Sequence, residues 1–262
     1  LFNPELFEKH VATSWLGRSF YFFKELPSTN SYAKEMNGES SRHGSLVLTD
    51  YQTGGRGQYD RKWKVEPGQN LTFSLIFEPR KKDRFTLLTL ACALAVSEVV
   101  DTQTDLITKL KWPNDILYKG KKLCGILTET QFSGNNLERV VVGIGLNVNQ
   151  TNFSDELEGK ATSLSKECSK NFCREELLAD IIQKIEYYYR LWNKFDAELV
   201  KRINRQIIGF GKWIKLLVND EELEGEFKFL GVNEAGALMA VDKDLDVKTF
   251  SYEQVRVKLQ EI

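Results

Sequence analysis

Histidine is scarce in this chain: His10 and His43 are the only two among 262 residues. That argues against a histidine-based triad and against a zinc protease, both of which need several imidazoles. Cysteine is little used as well. Of the four, Cys92 and Cys124 sit in apolar runs and read as small buried hydrophobes, while Cys168 and Cys173 lack Cys-x-x-Cys spacing, so no zinc framework emerges. With no secretory signal, reduced thiols fit a cytoplasmic compartment. Neither sign of charge is in excess: 36 Lys plus Arg against 37 Asp plus Glu leave a net charge of −1. Nothing therefore draws the whole chain to nucleic acid or an anionic membrane, and any anion site must be local. No apolar run approaches the roughly 20 residues a spanning helix needs. Nucleotide fingerprints are missing too. There is no Gly-x-x-x-x-Gly-Lys-Ser/Thr run, and Gly143-Ile-Gly145 has Val148 where a dinucleotide motif needs a third glycine.

What is present is a mixture of strand-like and helical segments. A short helix is expected within Asn3–Trp15 and a strand over Ser19–Leu26, followed by a helix opening at Pro27-Ser-Thr-Asn30. Strands are expected at Ser45–Thr49 and Asn70–Phe77, then a central helix at Asp83–Thr102. Ile107–Trp112, Ile116–Lys119, Lys122–Thr130 and Arg139–Asn147 read as strands, with hairpin turns at Lys119–Lys122 and Ser133–Asn136. Asn152–Lys170 reads as a polar surface loop and Cys173–Arg205 as a long helical stretch with an aromatic face. From Gly209 the pattern changes to five short strands, at Lys212–Val218, Leu223–Leu230, Ala237–Val241, Val247–Tyr252 and Val255–Leu259, which suggest an SH3-like barrel. The division expected is 1–208 and 209–262.

Tyr51-Gln-Thr-Gly-Gly-Arg-Gly-Gln-Tyr-Asp-Arg-Lys-Trp63 lies between two strands. Glycine loses conformational entropy on folding unless the backbone needs positive φ or close approach to a ligand. Arginine in such a loop suits phosphate or carboxylate. A mobile loop that closes over an anion is the functional reading, and a flexible charged hairpin the bland one. Pro27-Ser-Thr-Asn30 either caps a helix or hydrogen-bonds a polar ligand. Lys111-Trp-Pro-Asn-Asp115 is either a plain turn or a phosphate and Mg²⁺ site, with Lys111 beside Asp115. Lys122 opens a buried strand, which is costly unless a partner neutralises it, and Gly125 in that strand permits close approach. Gly143-Ile-Gly-Leu-Asn147 can bring backbone and amide groups to a base edge, or is simply a strand ending in an Asx-turn.

Taken in this order, the segments resemble the biotin protein ligases (biotin–[acetyl-CoA-carboxylase] ligases). Ser28-Thr-Asn30, Gln52-Thr-Gly-Gly-Arg-Gly57, Lys111-Trp-Pro-Asn-Asp115, Lys122-Leu-Cys-Gly125 and Gly143–Asn147 match that family's motifs. Gln58, Tyr59 and Asp60 depart from it, standing where many bacterial members have Arg, Arg and Gly. An Arg at position 58 helps such members retain the adenylate. With no room for a helix-turn-helix before Ser19, the chain is similar to the monofunctional members that do not repress transcription.

The resemblance implies an α+β fold, with a class II synthetase-like catalytic domain of mixed sheet and packed helices and an SH3-like barrel behind it. It implies two substrates, biotin and ATP, with Mg²⁺, and a biotin carboxyl carrier protein as partner. Either a monomer or a homodimer is compatible. By resemblance, Arg56, Lys122, Lys111 and Asp115 are catalytic. Ser28, Thr29, Asn30, Gln52, Arg56, Gly57, Gln58, Lys122 and Gly125 would hold biotin. Arg56, Arg61, Trp63, Lys111, Asn114, Lys122 and Asn147 would hold ATP or the adenylate, and Asn114 and Asp115 the Mg²⁺. A lipoate or octanoate ligase on the same fold is the enzyme alternative. A nucleic-acid-binding protein using Arg61-Lys-Trp-Lys64 is the non-catalytic one, and the near-neutral charge weighs against it.

Overall fold

The computed structural model describes residues 1–38, 42–58, 61–79, 84–134, 136–218, 221–251 and 255–258. Tyr59, Asp60, Asp83, Asn135, Tyr252 and Leu259, which figure in the motifs and element boundaries above, lie outside them.

Strand β1 (Phe20–Phe23) pairs parallel with β2 (Leu46–Thr49), and every further pairing in the large sheet is antiparallel. With β3 (Leu71–Phe77), β4 (Lys109–Lys111), β5 (Asp115–Tyr118), β6 (Lys121–Ser133) and β7 (Asn136–Leu146), the order is β1-β2-β3-β7-β6-β5-β4. This is the mixed sheet of an α+β fold. The β5–β6 turn takes left-handed backbone at Lys119 (φ 46°) and Gly120 (φ 77°), as a tight hairpin requires.

Side-chain alternation divides the two faces of this sheet. Strand β7 sends Val140, Val142, Ile144 and Leu146 into the main core. Val141 joins Ala33, Met36, Val47 and Ile76 in a small cluster on the opposite face, beneath α2 (Thr29–Glu35). Gly143 and Gly145 continue that second face, where the functional residues collect.

Helices α1 (Pro4–His10), α3 (Phe85–Thr104), α5 (Arg174–Lys194) and α6 (Ala197–Gln206) contribute to the main core. α1 is the short helix expected within Asn3–Trp15, with Asn3 capping it and Val11 ending it in extended backbone. The expectation that no stretch reaches spanning length is corrected by α3. It is long and apolar enough to cross a membrane by length and composition, and 72% of that window is buried inside the protein, so core packing accounts for its apolarity.

The long helical stretch expected over Cys173–Arg205 is divided into α5 and α6. Phe195 adopts left-handed backbone (φ 58°) with the Arg84 guanidinium 4.0 Å above its ring, and Asp196 then caps α6 by accepting from the Glu198 N–H at 2.9 Å. The surface loop expected at Asn152–Lys170 contains α4 (Leu164–Cys168) and turns inward. The Lys122 N–H donates to Lys160 O at 2.8 Å, and the Thr162 N–H donates back to Lys122 O at 2.9 Å.

Among the described residues the C-terminal strands are six, where five were expected. β8 (Trp213–Val218), β10 (Phe227–Val232), β11 (Leu238–Val241), β12 (Val247–Phe250) and β13 (Val255–Lys258) form a curled antiparallel sheet, and the two-residue β9 (Glu221–Glu222) pairs with β8. This unit is tightly docked. Trp112 Nε1 donates to Gly236 O at 3.0 Å, and Gly236 (φ 82°) lies so close to the backbone of Thr86 and Leu87 that no side chain fits there.

Asp50 roots the glycine-rich segment. Its carboxylate takes Arg174 Nη1 at 2.7 Å and the Phe2 N–H at 3.1 Å, and its carbonyl accepts the Gly68 N–H at 3.0 Å. Both ends of the segment between Asp50 and Gly68 are therefore fixed at one point.

Candidate active site

A cavity of about 630 Å³ opens on the glycine-bearing face of the sheet. Every site residue named from the sequence lines it, from Ser28-Thr-Asn30 through the glycine loop to Lys111, Asn114, Asp115, Lys122, Gly125 and Asn147. Segments distant in the chain meet here because β5, β6, β7 and β3 are neighbours in the sheet and α2 lies across them.

The floor is glycine because neighbouring groups occupy the space of a Cβ. A methyl at Gly143 would collide with the Asn30 carboxamide, one at Gly145 with the Trp63 indole, and one at Gly125 would stand 2.8 Å from Lys122 Cε. The Trp63 ring thus lies on the cavity floor, with its Nε1 buried and without a hydrogen-bond partner among the described residues. A ligand acceptor there would remove a penalty of about 1–3 kcal/mol.

Ser28 performs the bland role weighed for it: its side chain caps α2 by accepting from the Ser31 N–H at 3.3 Å. Thr29 and Asn30 are placed differently. Gln52 Oε1 accepts from the Thr29 N–H at 2.8 Å and from its hydroxyl at 3.2 Å. Ser74 Oγ lies 2.6 Å from Asn30 Oδ1 and 2.7 Å from Thr29 Oγ1, so its single proton serves one of them at a time. Asn30 Nδ2 donates to Leu127 O at 3.1 Å and to Glu129 Oε2 at 2.8 Å.

The glycine loop is a ribbon rather than a free flap. Thr53 N–H donates to Leu26 O and Gly54 N–H to Pro27 O, which extends the edge of the sheet. Beyond that, Gly57 N–H donates to Arg61 O at 2.6 Å and Trp63 N–H to Gly55 O at 3.0 Å, with Arg56 opposite Lys62. The backbone on both sides of Gln58 is paired, as in the hairpin weighed from the sequence.

Asp115 and Lys122 form an ion pair, Oδ1 to Nζ 2.6 Å. It supplies the neutralising partner that a lysine opening β6 needs. The Lys111–Asp115 pairing weighed from sequence holds only as backbone register across β4 and β5. Asn114 Nδ2 donates to Ile126 O at 2.7 Å and Asn147 Nδ2 to Thr162 O at 3.0 Å, so a metal or base contact falls to their amide oxygens. Arg56 lies apart from Lys122: its Nη2 donates to Ser31 Oγ at 3.1 Å and meets Glu129 at 3.3 Å. Burial would raise the Glu129 carboxyl, but hydrogen bonds from Lys34 and Asn30 and the charges of Lys34 and Arg56 hold it below its ordinary value. Burial pushes the thiol of Cys124, behind this wall, well above its usual range, so it is no nucleophile.

Several lining residues carry no motif. Thr72, Leu127, Phe153, Leu157 and Lys160 line the cavity, as do Leu217, Val255 and Val257 of the C-terminal unit. The spaced apolar residues of the 152–170 segment, Phe153, Leu157, Ala161 and Leu164, are the signal that it folds inward. Among the described residues, no group of three His, Cys, Asp or Glu side chains is arranged to hold a metal.

The profile of the Biotin/lipoate A/B protein ligase family matches residues 22–147. The bifunctional ligase/repressor BirA of Bacillus subtilis (strain 168) is 34% identical over 235 residues, covering 87% of this chain and 71% of the relative. The biotin–[acetyl-CoA-carboxylase] ligase of Mycobacterium tuberculosis is 28% identical over 199 residues, covering 72% of this chain and 68% of that one. Among solved structures, the biotin protein ligase from Aquifex aeolicus in complex with biotin and ATP superposes with a TM-score of 0.79 at 30% identity, covering 92% of this chain and 100% of that chain.

Proposed function

Since the chain belongs to the biotin protein ligases of the Biotin/lipoate A/B protein ligase family, we propose that it activates biotin with ATP and transfers it to a lysine of a biotin carboxyl carrier protein. In the first step a carboxylate oxygen of biotin attacks the α-phosphorus of ATP, the bond to the β-phosphate breaks, and biotinyl-5′-AMP and pyrophosphate form. In the second, the lysine amine attacks the acyl carbon, AMP leaves, and the amine gives up its proton. The observation that carries this reading is that residues from all five motifs converge on one cavity.

Two anions must approach each other, so cations are needed where they meet. Lys122 supplies one, already poised against Asp115. Arg56 supplies another from the ribbon, and Lys111 and Arg61 line the same space. Ser28, Thr29, Asn30 and Gln52 would receive biotin, with Gly57 and Gln58 over it and Gly125 offering backbone. Trp63 would pack on the adenine, and Asn147 Oδ1 would accept from its amine. The ribbon would keep water from the mixed anhydride. Asp115 is the one carboxylate among the described residues lining the cavity. One carboxylate with the Asn114 amide oxygen suits Mg²⁺, which takes few protein ligands and many phosphate oxygens. When bound, Mg²⁺ neutralises phosphate charge; the same carboxylate would hold the incoming amine.

The division into 1–208, which carries these groups, and 209–262, which closes one side of the cavity, is part of this reading. So is a cytoplasmic setting, in keeping with four free cysteines. The test is incubation with ATP, Mg²⁺, biotin and an apo carrier domain. Biotin on the carrier lysine is the expected result, and lipoate in place of biotin should give none. An unlabelled carrier would overturn the proposal.

A further inference from the structure

Glu129 ends the run Lys122-Leu-Cys-Gly-Ile-Leu-Thr-Glu129, beyond the Lys122–Gly125 match to the family, and touches two other segments that carry motifs. It follows Gly125 and Leu127 on the cavity face of β6, with its side chain 20% exposed. Its carboxylate accepts from Asn30 Nδ2 at 2.8 Å and from Lys34 Nζ at 2.7 Å, and Arg56 Nη2 meets both oxygens at 3.3 and 3.4 Å. Two cations therefore share one carboxylate, and they are not held alike. Lys34 is close. Arg56 reaches through a single nitrogen at long range, from a side chain that is 47% exposed.

That asymmetry has a chemical meaning. Had Arg56 been the sole counter-ion, its departure would strand a half-buried negative charge. With Lys34 staying behind, Glu129 remains neutralised and Arg56 can leave. The ribbon backbone does not depend on this contact, because Thr53, Gly54, Gly57 and Trp63 hold it by main-chain hydrogen bonds. What Glu129 governs is where the Arg56 charge sits.

We propose that Glu129, backed by Lys34, is a positioning residue for adenylation: it holds Arg56 in the free protein as a replaceable counter-ion, and the phosphate of the nucleotide competes with it for that arginine. The inference rests on the reading that Arg56 serves the adenylate phosphate. Its consequence is that Glu129 weakens ATP binding while leaving biotin binding alone. Glutamine at this position can still accept from Asn30, so the biotin side keeps its scaffold.

The test is the double variant Glu129→Gln/Lys34→Gln, which leaves net charge unchanged and so separates competition for Arg56 from general electrostatics. In adenylation assays its KM for ATP should fall by about two- to five-fold, the range that one exposed ion pair supports, with kcat and the KM for biotin unchanged. In an Arg56→Gln background the same pair of changes should no longer move the KM for ATP, whereas a purely structural role of Glu129 would still register. An unchanged or raised KM for ATP in the double variant, or an effect that survives Arg56→Gln, overturns the proposal. Wild-type protein is assayed alongside: absence of biotinyl-AMP there would overturn the ligase reading itself, a result distinct from an active enzyme whose KM ignores Glu129. A normal thermal melt of each variant shows that folding is intact.

Discussion

Lys122 Nζ and Asp115 Oδ1 stand 2.6 Å apart across the β5–β6 hairpin, each neutralising the other in the absence of substrate. Lys122→Ala removes the cation from the point where the two substrate anions meet. The pair is partly exposed, with side chains 37% and 22% accessible, so solvent screening limits its worth to stability to about 1 kcal/mol or less. The expected outcome is a protein that melts almost normally and forms no measurable biotinyl-AMP, checked by pyrophosphate release beside a thermal melt. Retained adenylation would contradict the role given to this lysine.

Gly143→Ala places a methyl against the Asn30 carboxamide, which is itself tied to Ser74, Leu127 and Glu129. Something in that network must shift, at a cost of about 1–3 kcal/mol typical of overpacking. Calorimetric titration with biotin should show affinity reduced at least about ten-fold. Unaltered biotin binding would mean that Asn30 does not face the ligand.

Arg174 and Asp50 form a buried ion pair, 6% and 3% exposed. Arg174→Met should destabilise the protein by about 3–5 kcal/mol, because it leaves an unpaired buried carboxylate. Combining it with Asp50→Asn should recover part of the loss, as chemical denaturation can measure.

The ring of His43 stacks on Trp15 at 4.4 Å, and its Nδ1 accepts from the Glu78 N–H at 3.0 Å. Burial holds its pKa below the ordinary 6.5. The unfolded chain then binds a proton more readily than the folded one, so stability declines as pH falls from about 6.5 toward the lower folded value and is flat with respect to this group above that window. His43→Gln should remove this part of the pH dependence, measured as denaturation midpoints between pH 5 and 8.

Gln58 lines the cavity without a charge, at the position where the resemblance to the family implies an arginine. Gln58→Arg should slow release of biotinyl-AMP by about ten-fold, as one charge-assisted hydrogen bond would. Stopped-flow or filter release of labelled adenylate measures it, and an unchanged off-rate would separate this position from adenylate retention.

The strands and the cavity residues were legible because each rests on local signals: alternation, glycine clusters, a proline that separates β4 from β5. What was not legible depends on contacts between distant segments. The aromatic periodicity of Tyr188, Trp192 and Phe195 ran on past the end of α5, and only Arg84 above Phe195 shows why the chain breaks there. Segment 152–170 looked superficial because its polar composition hides two backbone hydrogen bonds to Lys122. Glu129 was one acidic residue in a strand of mixed character, and its role arises from α2 and the ribbon arriving on either side.

Because Asp50 and Gly68 meet through one hydrogen bond, the entropy of closing the intervening chain is set at that root. Ring closure depends on length only logarithmically, with about 0.6 kcal/mol for each doubling. Gln52, Gly55, Gly57 and Trp63 are tied into the ribbon by hydrogen bonds, and those at Gly55, Gly57, Arg61 and Trp63 join main-chain groups indifferent to side-chain identity. Gln58, which departs from the family pattern, joins that pairing through its carbonyl, which accepts the Arg61 N–H at 3.2 Å, and not through its side chain's charge. Variation in this enzyme's hold on its intermediate can therefore accumulate without loosening the scaffold that presents it.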